Sequence, residues 1–364
     1  MLTSLFLFLA IYPTINIMNM SRITKKILIG GLLAFILTVT TLCGILYYLF
    51  FSPQFFPKRN VFLYIDKDDT ADSVYHKIQT IGEPRTFTGF RWLSQIRNFT
   101  DHIHTGCYTI HTQDNVYQLF HRLYRGYQTP VNLTIGSVRT LDNLAKSIGN
   151  QLMMDSAEVA EKMNDSLFQH QLGYRKETLP CLFIPNTYEV YWNISLEGLF
   201  QRFQKEHERF WTPKRKDKAQ SIGLTPEEVC TLASIVEEET NNLAEKPMVA
   251  GLYINRLHRK MPLQADPTIK FAVQDFGLRR ITNKHLQTAS PYNTYLNLGL
   301  PPGPIRIPSP QGIDAVLNYT KHNYIYMCAK EDFSGTHNFA SSYAAHMNNA
   351  RKYWNELNKR KIFK

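Results

Sequence analysis

Between Lys26 and Ser52 the chain runs without a charged side chain through ILIGGLLAFILTVTTLCGILYYLFF, residues 27–51. As a helix rising about 1.5 Å per residue, this run exceeds the roughly 30 Å hydrocarbon layer of a bilayer, so it reads as a single transmembrane helix. Arg22, Lys25 and Lys26 precede it, and Tyr47 and Tyr48 lie near its far end. Positive charge on one side and aromatic residues at the interface place residues 1–26 in the cytoplasm and the rest of the chain across the membrane. Lys58 and Arg59 beyond the run oppose that orientation. A cleaved signal peptide is the alternative, but the run is longer than a typical signal core and no small-residue cleavage site follows it. Residues 1–17 are also apolar yet short for a span. Met18 and Met20 stand just before the basic cluster, so either would serve as the true start.

A formal charge of +11 favours polyanionic neighbours such as phospholipid head groups, cell-wall phosphates or nucleic acid. No nucleic-acid module is present and the basic residues are scattered, so nucleic acid is not an expected partner. Of five cysteines, Cys43 lies in the span, and Cys107, Cys181, Cys230 and Cys328 follow it without a CxxC pair. That spacing reads as buried thiols rather than a zinc site. The twelve histidines show no HExxH spacing, so no metal is expected.

After SPQFFP, a folded part begins near Val61 with the strand-like NVFLYI, followed by the helical TADSVYHKIQTI with Thr70 as its cap. The strand GCYTI and the helix TQDNVYQLFHRLYRGY, closing at Gly126, repeat the pattern. These elements define a small α/β module over residues 60–129. A larger unit over residues 130–364 mixes strands (VNLTI, YIYMCA) with helices such as TLDNLAKSIGNQL, LEGLFQRFQKEHERFW, TPEEVCTLASIVEEET and KPMVAGLYINRLHRK, and closes on a helix from Tyr343 to Leu357. LFIPNTYEVYW reads as turn-rich, and long polar, Pro-rich loops are expected between residues 261 and 323. Without regular βαβ alternation the fold class is α+β.

Three consecutive glutamates end one of these helices. TPEE opens it with Thr225 as N-cap, Pro226 at the first helical position and Glu228 completing a capping box. At about 100° per residue, Val229, Leu232, Ala233, Ile235 and Val236 share one apolar face, and Glu239 projects within roughly 40° of its centre, while Glu237 and Glu238 fall more than about 100° away. A carboxyl on an apolar face loses solvation when charged. Its pKa rises, which suits it to donate a proton near neutrality. The alternative is a frayed end at Asn241 and Asn242 that leaves Glu239 as a surface or capping group. Glu237 and Glu238 read as solvated or structural, Glu237 as a support for neighbouring backbone or a basic side chain. LQADPTI offers Gln264 and Asp266 beside the stiff Pro267, either as polar groups aimed at a ligand or as a turn with Asp266 capping a helix. Asp266 is also the candidate second carboxylate if a pair is used. SPYNTYLNLGLPPGPI offers Tyr292, Asn293, Thr294 and Tyr295, for ligand contact or for the core. In GTHNF, His337 reads as a loop-packing or carboxylate-contacting residue.

LASIVEEET, VAGLYINRL, MPLQADPTI, SPYNTYLNLGLPPGPI and GTHNF, in this order behind one N-terminal span, resemble the YceG-like family of endolytic murein (peptidoglycan) transglycosylases. The resemblance covers essentially everything after the span and is strongest from Leu224 onward. It implies cleavage of MurNAc-GlcNAc linkages in nascent glycan strands to leave 1,6-anhydroMurNAc ends, without metal or organic cofactor. In the family's ExE element the second glutamate is catalytic, and it falls on Glu239. Segments containing Gln264, Asp266, Tyr292, Asn293, Thr294 and Tyr295 are implied to line the cleft. The module over residues 60–129 resembles the LysM-like part of these enzymes, with GCYTI matching the usual Gly-x-Tyr strand. Partnership with penicillin-binding proteins and the elongation machinery is implied as well. The match departs at IGSVRT, where relatives read Glu-Gly, and at LPCLFIPNTY, where Pro180 and Cys181 replace Glu-Gly and Asn186 replaces Asp. The non-enzymatic alternative is a glycan-binding scaffold, and the alternative chemistry a muramidase using Glu239, Asp266 and water.

Overall fold

A computed structural model describes residues 21–278 and 280–360. The expectations for residues 1–17 and for a start at Met18 or Met20 lie outside the described residues. The first helix, α1 (Arg22–Phe50), begins five residues before the uncharged run, because Ser21 caps it by accepting the Thr24 amide at 3.2 Å. It is long and apolar enough to cross a membrane, and none of its residues is buried.

The chain divides into two compact units, meeting at Thr129 and Pro130 in the sequence. In the first unit, β1 (Val61–Ile65) pairs antiparallel with β2 (Gly106–Ile110) in the register Leu63 to Tyr108. Between them lie α2 (Ala71–Gly82), α3 (Thr88–Ile96) and a short turn at Phe99–His102; α4 (Val116–Tyr124) follows β2. Thr70 and Ser73 form a reciprocal capping box on α2, and Asn115 and Gln118 do the same on α4. Gly126 takes the left-handed backbone that ends α4 (φ +66°). The core gathers alternate strand residues (Leu63, Ile65) with Val74, Ile78, Leu119 and the ring cluster Phe90, Phe99 and Phe120. α3 carries no start or stop signal that stands out in the sequence: its N-cap is Phe87, which makes no side-chain cap.

The second unit opens with β3 (Val131–Ile135), then α5 (Leu141–Gly149), α6 (Ser156–Asn164) and α7 (Ser166–Gln171). A turn at Leu179–Leu182 leads into β4 (Asn186–Val190), which pairs antiparallel with β3. That strand corrects the turn-rich reading of this stretch: Tyr188 and Val190 are buried against Phe203 and its neighbours, and tertiary burial outweighs the local turn signal. Helices α8 (Leu196–Phe210), α9 (Pro213–Ser221), α10 (Pro226–Glu239) and α11 (Lys246–His258) follow. The stretch expected to be loop contains α12 (Asp266–Val273), α13 (Asn283–Leu286) and α14 (Pro310–Leu317); both α12 and α14 start at a proline-containing first turn, where proline suits a helix. β5 (Tyr326–Ala329) and β6 (His337–Ala340) form a third antiparallel pair, and α15 (Tyr343–Lys359) closes the unit. Among the described residues every sheet is a two-stranded antiparallel one, which makes the fold mixed α+β.

The single apolar stripe drawn on α10 is wider than the sequence indicates. Every residue from Val229 to Val236 is buried, Thr231 and Ser234 included, because α11 and α14 pack on this helix. Thr231 returns its hydroxyl to the Glu227 carbonyl, and Ser234 both donates to the Thr231 carbonyl and accepts the Ile305 amide, so both of these buried hydroxyls are paired.

Candidate active site

The capping box fixes where α10 begins: the Thr225 hydroxyl accepts the Glu228 amide at 3.2 Å and Glu228 accepts the Thr225 amide at 2.8 Å. Fourteen residues later the helix ends on its three glutamates, and each is held differently. Glu237 accepts Lys246 Nζ at 3.3 Å and the Ser309 amide at 2.8 Å. Glu238 receives a two-pronged contact from Arg139 (2.8 and 2.9 Å) and a third from Arg306 (2.8 Å). These pairings make both structural rather than solvated, with Glu237 on a basic side chain and a backbone amide; helix angle could not choose between the two, since Arg139, Arg306 and Lys246 arrive from other segments. Although burial works against it, the bonds from Arg139 and Arg306 hold the Glu238 carboxyl below the usual carboxylate range.

Glu239 stands apart because, among the described residues, no cation bonds it. Its Oε1 accepts the Tyr253 hydroxyl at 2.8 Å, and burial pushes its pKa from an ordinary 4.5 to about 7. The Tyr253 bond opposes that rise and the nearby Asp266 charge adds to it. Tyr253 is itself enclosed in α11, which is fixed by Asn255 donating to the carbonyls of His322 (2.7 Å) and Tyr324 (2.9 Å). One turn on, Arg256 brings a buried cation to the same wall, where the carbonyls of Ile325 (2.7 Å) and Leu263 (2.6 Å) satisfy its guanidinium.

Glu239 lines a pocket of about 220 Å³ with Tyr253, Arg256, Gln264, Asp266, Tyr295 and His337, closed on its other side by Met327, Cys328 and Ala329 of β5. Gln264 occupies a left-handed backbone (φ +49°), a conformation that costs a residue with a side chain roughly 1–2 kcal/mol. Thr294 restrains it: its carbonyl accepts the Gln264 amide (3.1 Å) and its hydroxyl the Ala265 amide (3.0 Å). Asp266 sits inside the first turn of α12 rather than capping it, and accepts the Tyr295 hydroxyl at 2.5 Å. His337, at the start of β6, contacts Glu245 through Nδ1 (3.1 Å) and through its amide (2.7 Å), and Glu245 also accepts the Thr240 hydroxyl at 2.8 Å. The residue following Glu239 is thereby tied to the pocket wall.

The structure thus brings together Glu239, Gln264, Asp266 and Tyr295 and sends the other candidates elsewhere. Asn293 is fully enclosed, donating to the carbonyls of Leu286 and Thr288 (both 2.9 Å) and accepting the Tyr295 amide (3.0 Å). Thr294 is buried behind Gln264. Both hold the loop from within. Tyr292 packs its ring on Phe271, 4.6 Å between centroids, and lines a different cavity with Arg139, Glu177 and Pro304. Tyr253 and Arg256 were not singled out from sequence, although both lie in VAGLYINRL; the packing of α11 on α10 is what brings them to Glu239. A larger cleft of about 840 Å³ lies at the opposite end of α10, lined by Thr225, Glu227, Glu228 and Thr231. Glu228 is committed there to the helix cap, and the smaller pocket is the one that holds a carboxyl raised by burial, Glu239.

The sequence profile of the YceG-like family matches residues 63–352. The chain is 29% identical over 250 residues to the endolytic murein transglycosylase of Bacillus subtilis strain 168, covering 65% of this chain and 68% of that protein. It is 30% identical over 271 residues to the endolytic murein transglycosylase of Streptococcus pneumoniae serotype 2 strain D39, covering 66% of this chain and 49% of that protein. The chain therefore spans about half the length of this streptococcal relative. The crystal structure of a YceG-like protein from Listeria monocytogenes superposes with a TM-score of 0.54 at 24% identity, covering 80% of this chain and 99% of that one.

Proposed function

The chain belongs to the YceG-like family, and on that premise we propose that it is a membrane-anchored lytic transglycosylase, a lyase that cuts murein glycan strands internally with Glu239 as its single acid and base. The names of its bacterial relatives support the activity. The observation that carries the assignment of the acid is the Glu239 carboxyl, raised by burial to about 7 in a polar pocket, with no cation among the described residues bonding it. A group with that midpoint exists in both protonation states near neutrality, as acid–base catalysis requires.

With Tyr253 occupying Oε1, Oε2 is the oxygen free to carry the proton. Glu239 protonates the glycosidic oxygen between MurNAc and GlcNAc as its bond to C1 breaks. The C6 hydroxyl of the same MurNAc attacks C1, and the Glu239 carboxylate takes the hydroxyl proton, which regenerates the acid and closes the 1,6-anhydro ring. No water is consumed. Attack from within one sugar gains from proximity, so a second carboxylate is not required. Arg256 and Tyr253 reduce the cost of the carboxylate form between the two transfers, while Gln264 and Asp266 at the exposed rim are positioned for sugar hydroxyls. In this reading the span places the larger unit outside the cytoplasmic membrane, the module over residues 60–129 contacts glycan in the manner of a LysM domain, and penicillin-binding proteins supply the nascent strands.

A second reading rests on Asp266, which shares the pocket and would let Glu239 act with water as a muramidase. Digesting purified murein and weighing the fragments separates the readings. Anhydro ends are expected; reducing ends would transfer the assignment to the muramidase, and absence of fragments would leave a glycan-binding scaffold. Glu239→Gln should abolish release, and retained cleavage would remove Glu239 from the mechanism.

A further inference from the structure

The last turn of α1 is built into the first unit rather than joined to it by a free linker. A Cβ placed on Gly89 would stand 2.4 Å from the Leu49 carbonyl oxygen, so α3 meets α1 at backbone contact, and only glycine fits there. On the other flank, Gln54 donates to the Tyr48 carbonyl (2.7 Å) and Asn115 to that of Phe51 (3.3 Å). The Phe51 ring lies 5.7 Å from that of Tyr117 on α4. The depth of this junction follows from length. Counting about 20 residues for a 30 Å layer from Ile27 ends the hydrocarbon near Tyr47, which sets Leu49, and Gly89 against it, in the head-group region.

Trp92 and Ile96 follow Gly89 at the third and seventh positions, which puts them on the same side of α3. They are 49% and 72% exposed, large apolar groups left half and mostly uncovered by protein at the level of an interface where tryptophan is favoured. The charge of this segment matches. From Pro84 to Asn98 it carries Arg85, Arg91 and Arg97 and no acid.

We infer that α3 is a second membrane contact, lying in the leaflet at the C-terminal end of the span with Trp92 and Ile96 at the head-group and acyl boundary and Arg91 and Arg97 on anionic lipid phosphates. A lipid surface is the occupant because Gly89, on the same face, already abuts the span. The inference rests on α1 crossing the bilayer. Its consequence is a unit held at fixed height and tilt, where a flexible tether would let it roam.

The test uses the full chain reconstituted in phosphatidylcholine vesicles, with and without phosphatidylglycerol. Flotation with the vesicles is expected, and its failure would overturn the span and the inference together. The emission lost in Trp92→Phe, taken as a difference spectrum, is expected to be blue-shifted and largely quenched by lipids brominated on the upper acyl chain. A floating protein whose Trp92 emission is red and unquenched would overturn the lipid contact while leaving the span intact. Adding phosphatidylglycerol should deepen the quenching in the parent chain and not in the R91E/R97E variant. Equal deepening in both would overturn the role of the arginines.

Discussion

Glu239→Gln should stabilise the folded protein at alkaline pH while removing its activity. Moving a carboxyl from its ordinary 4.5 to about 7 costs the folded state about 3 kcal/mol when the group is ionised, less to the extent that the pocket admits water. The sign follows from proton binding. Below pH 4.5 both folded and unfolded chains hold the proton and the term vanishes. Between 4.5 and 7 the unfolded chain releases it first, so stability falls as pH rises, and above 7 the full cost is present. Glutamine keeps a carbonyl oxygen for Tyr253 and never ionises. The stability difference between variant and parent should therefore be near zero at pH 4 and grow to about 3 kcal/mol by pH 8. Urea unfolding of the full chain in non-ionic detergent, followed by tryptophan fluorescence including the enclosed Trp211, measures it across that range. A difference that stays constant with pH would refute the claim that burial of Glu239 raises its pKa.

Tyr253→Phe removes the hydroxyl that favours the charged form of Glu239, so the alkaline limb of the kcat/KM profile for murein cleavage should move upward from about pH 7; an unmoved limb would show that this bond does not tune the acid. Arg306→Ala strips Glu238 of one cation and Ser137 of two hydrogen bonds, and should cost about 1–3 kcal/mol in urea unfolding. Arg139→Ala, at a more exposed side chain, should cost less, and the reverse order would refute this ranking.

Local chemistry made much of the architecture readable. The uncharged run, the Thr70 and Thr225 capping boxes, Gly126 after α4 and the 3.6-residue periodicity each involve residues within a few positions of one another, so the sequence carries them openly. Helix angle alone also separated Glu239 from its two neighbours. It could not say what Glu237 and Glu238 would meet, because Lys246, Arg139 and Arg306 lie 9, 99 and 68 positions away.

What the sequence by itself determined, then, is a helix long and apolar enough to cross a membrane, the α+β class and the inward direction of Glu239, since each rests on hydrophobicity or spacing along the chain. Tertiary structure alone decided the rest: that Asn293 and Thr294 brace the pocket from behind, that Tyr292 faces another cavity, that Tyr253 and Arg256 complete the wall, and that α14 is a helix. A side chain's direction there depends on which distant surface takes its burial or its hydrogen bonds, and that choice is made by packing of the whole unit rather than by any short stretch of chain.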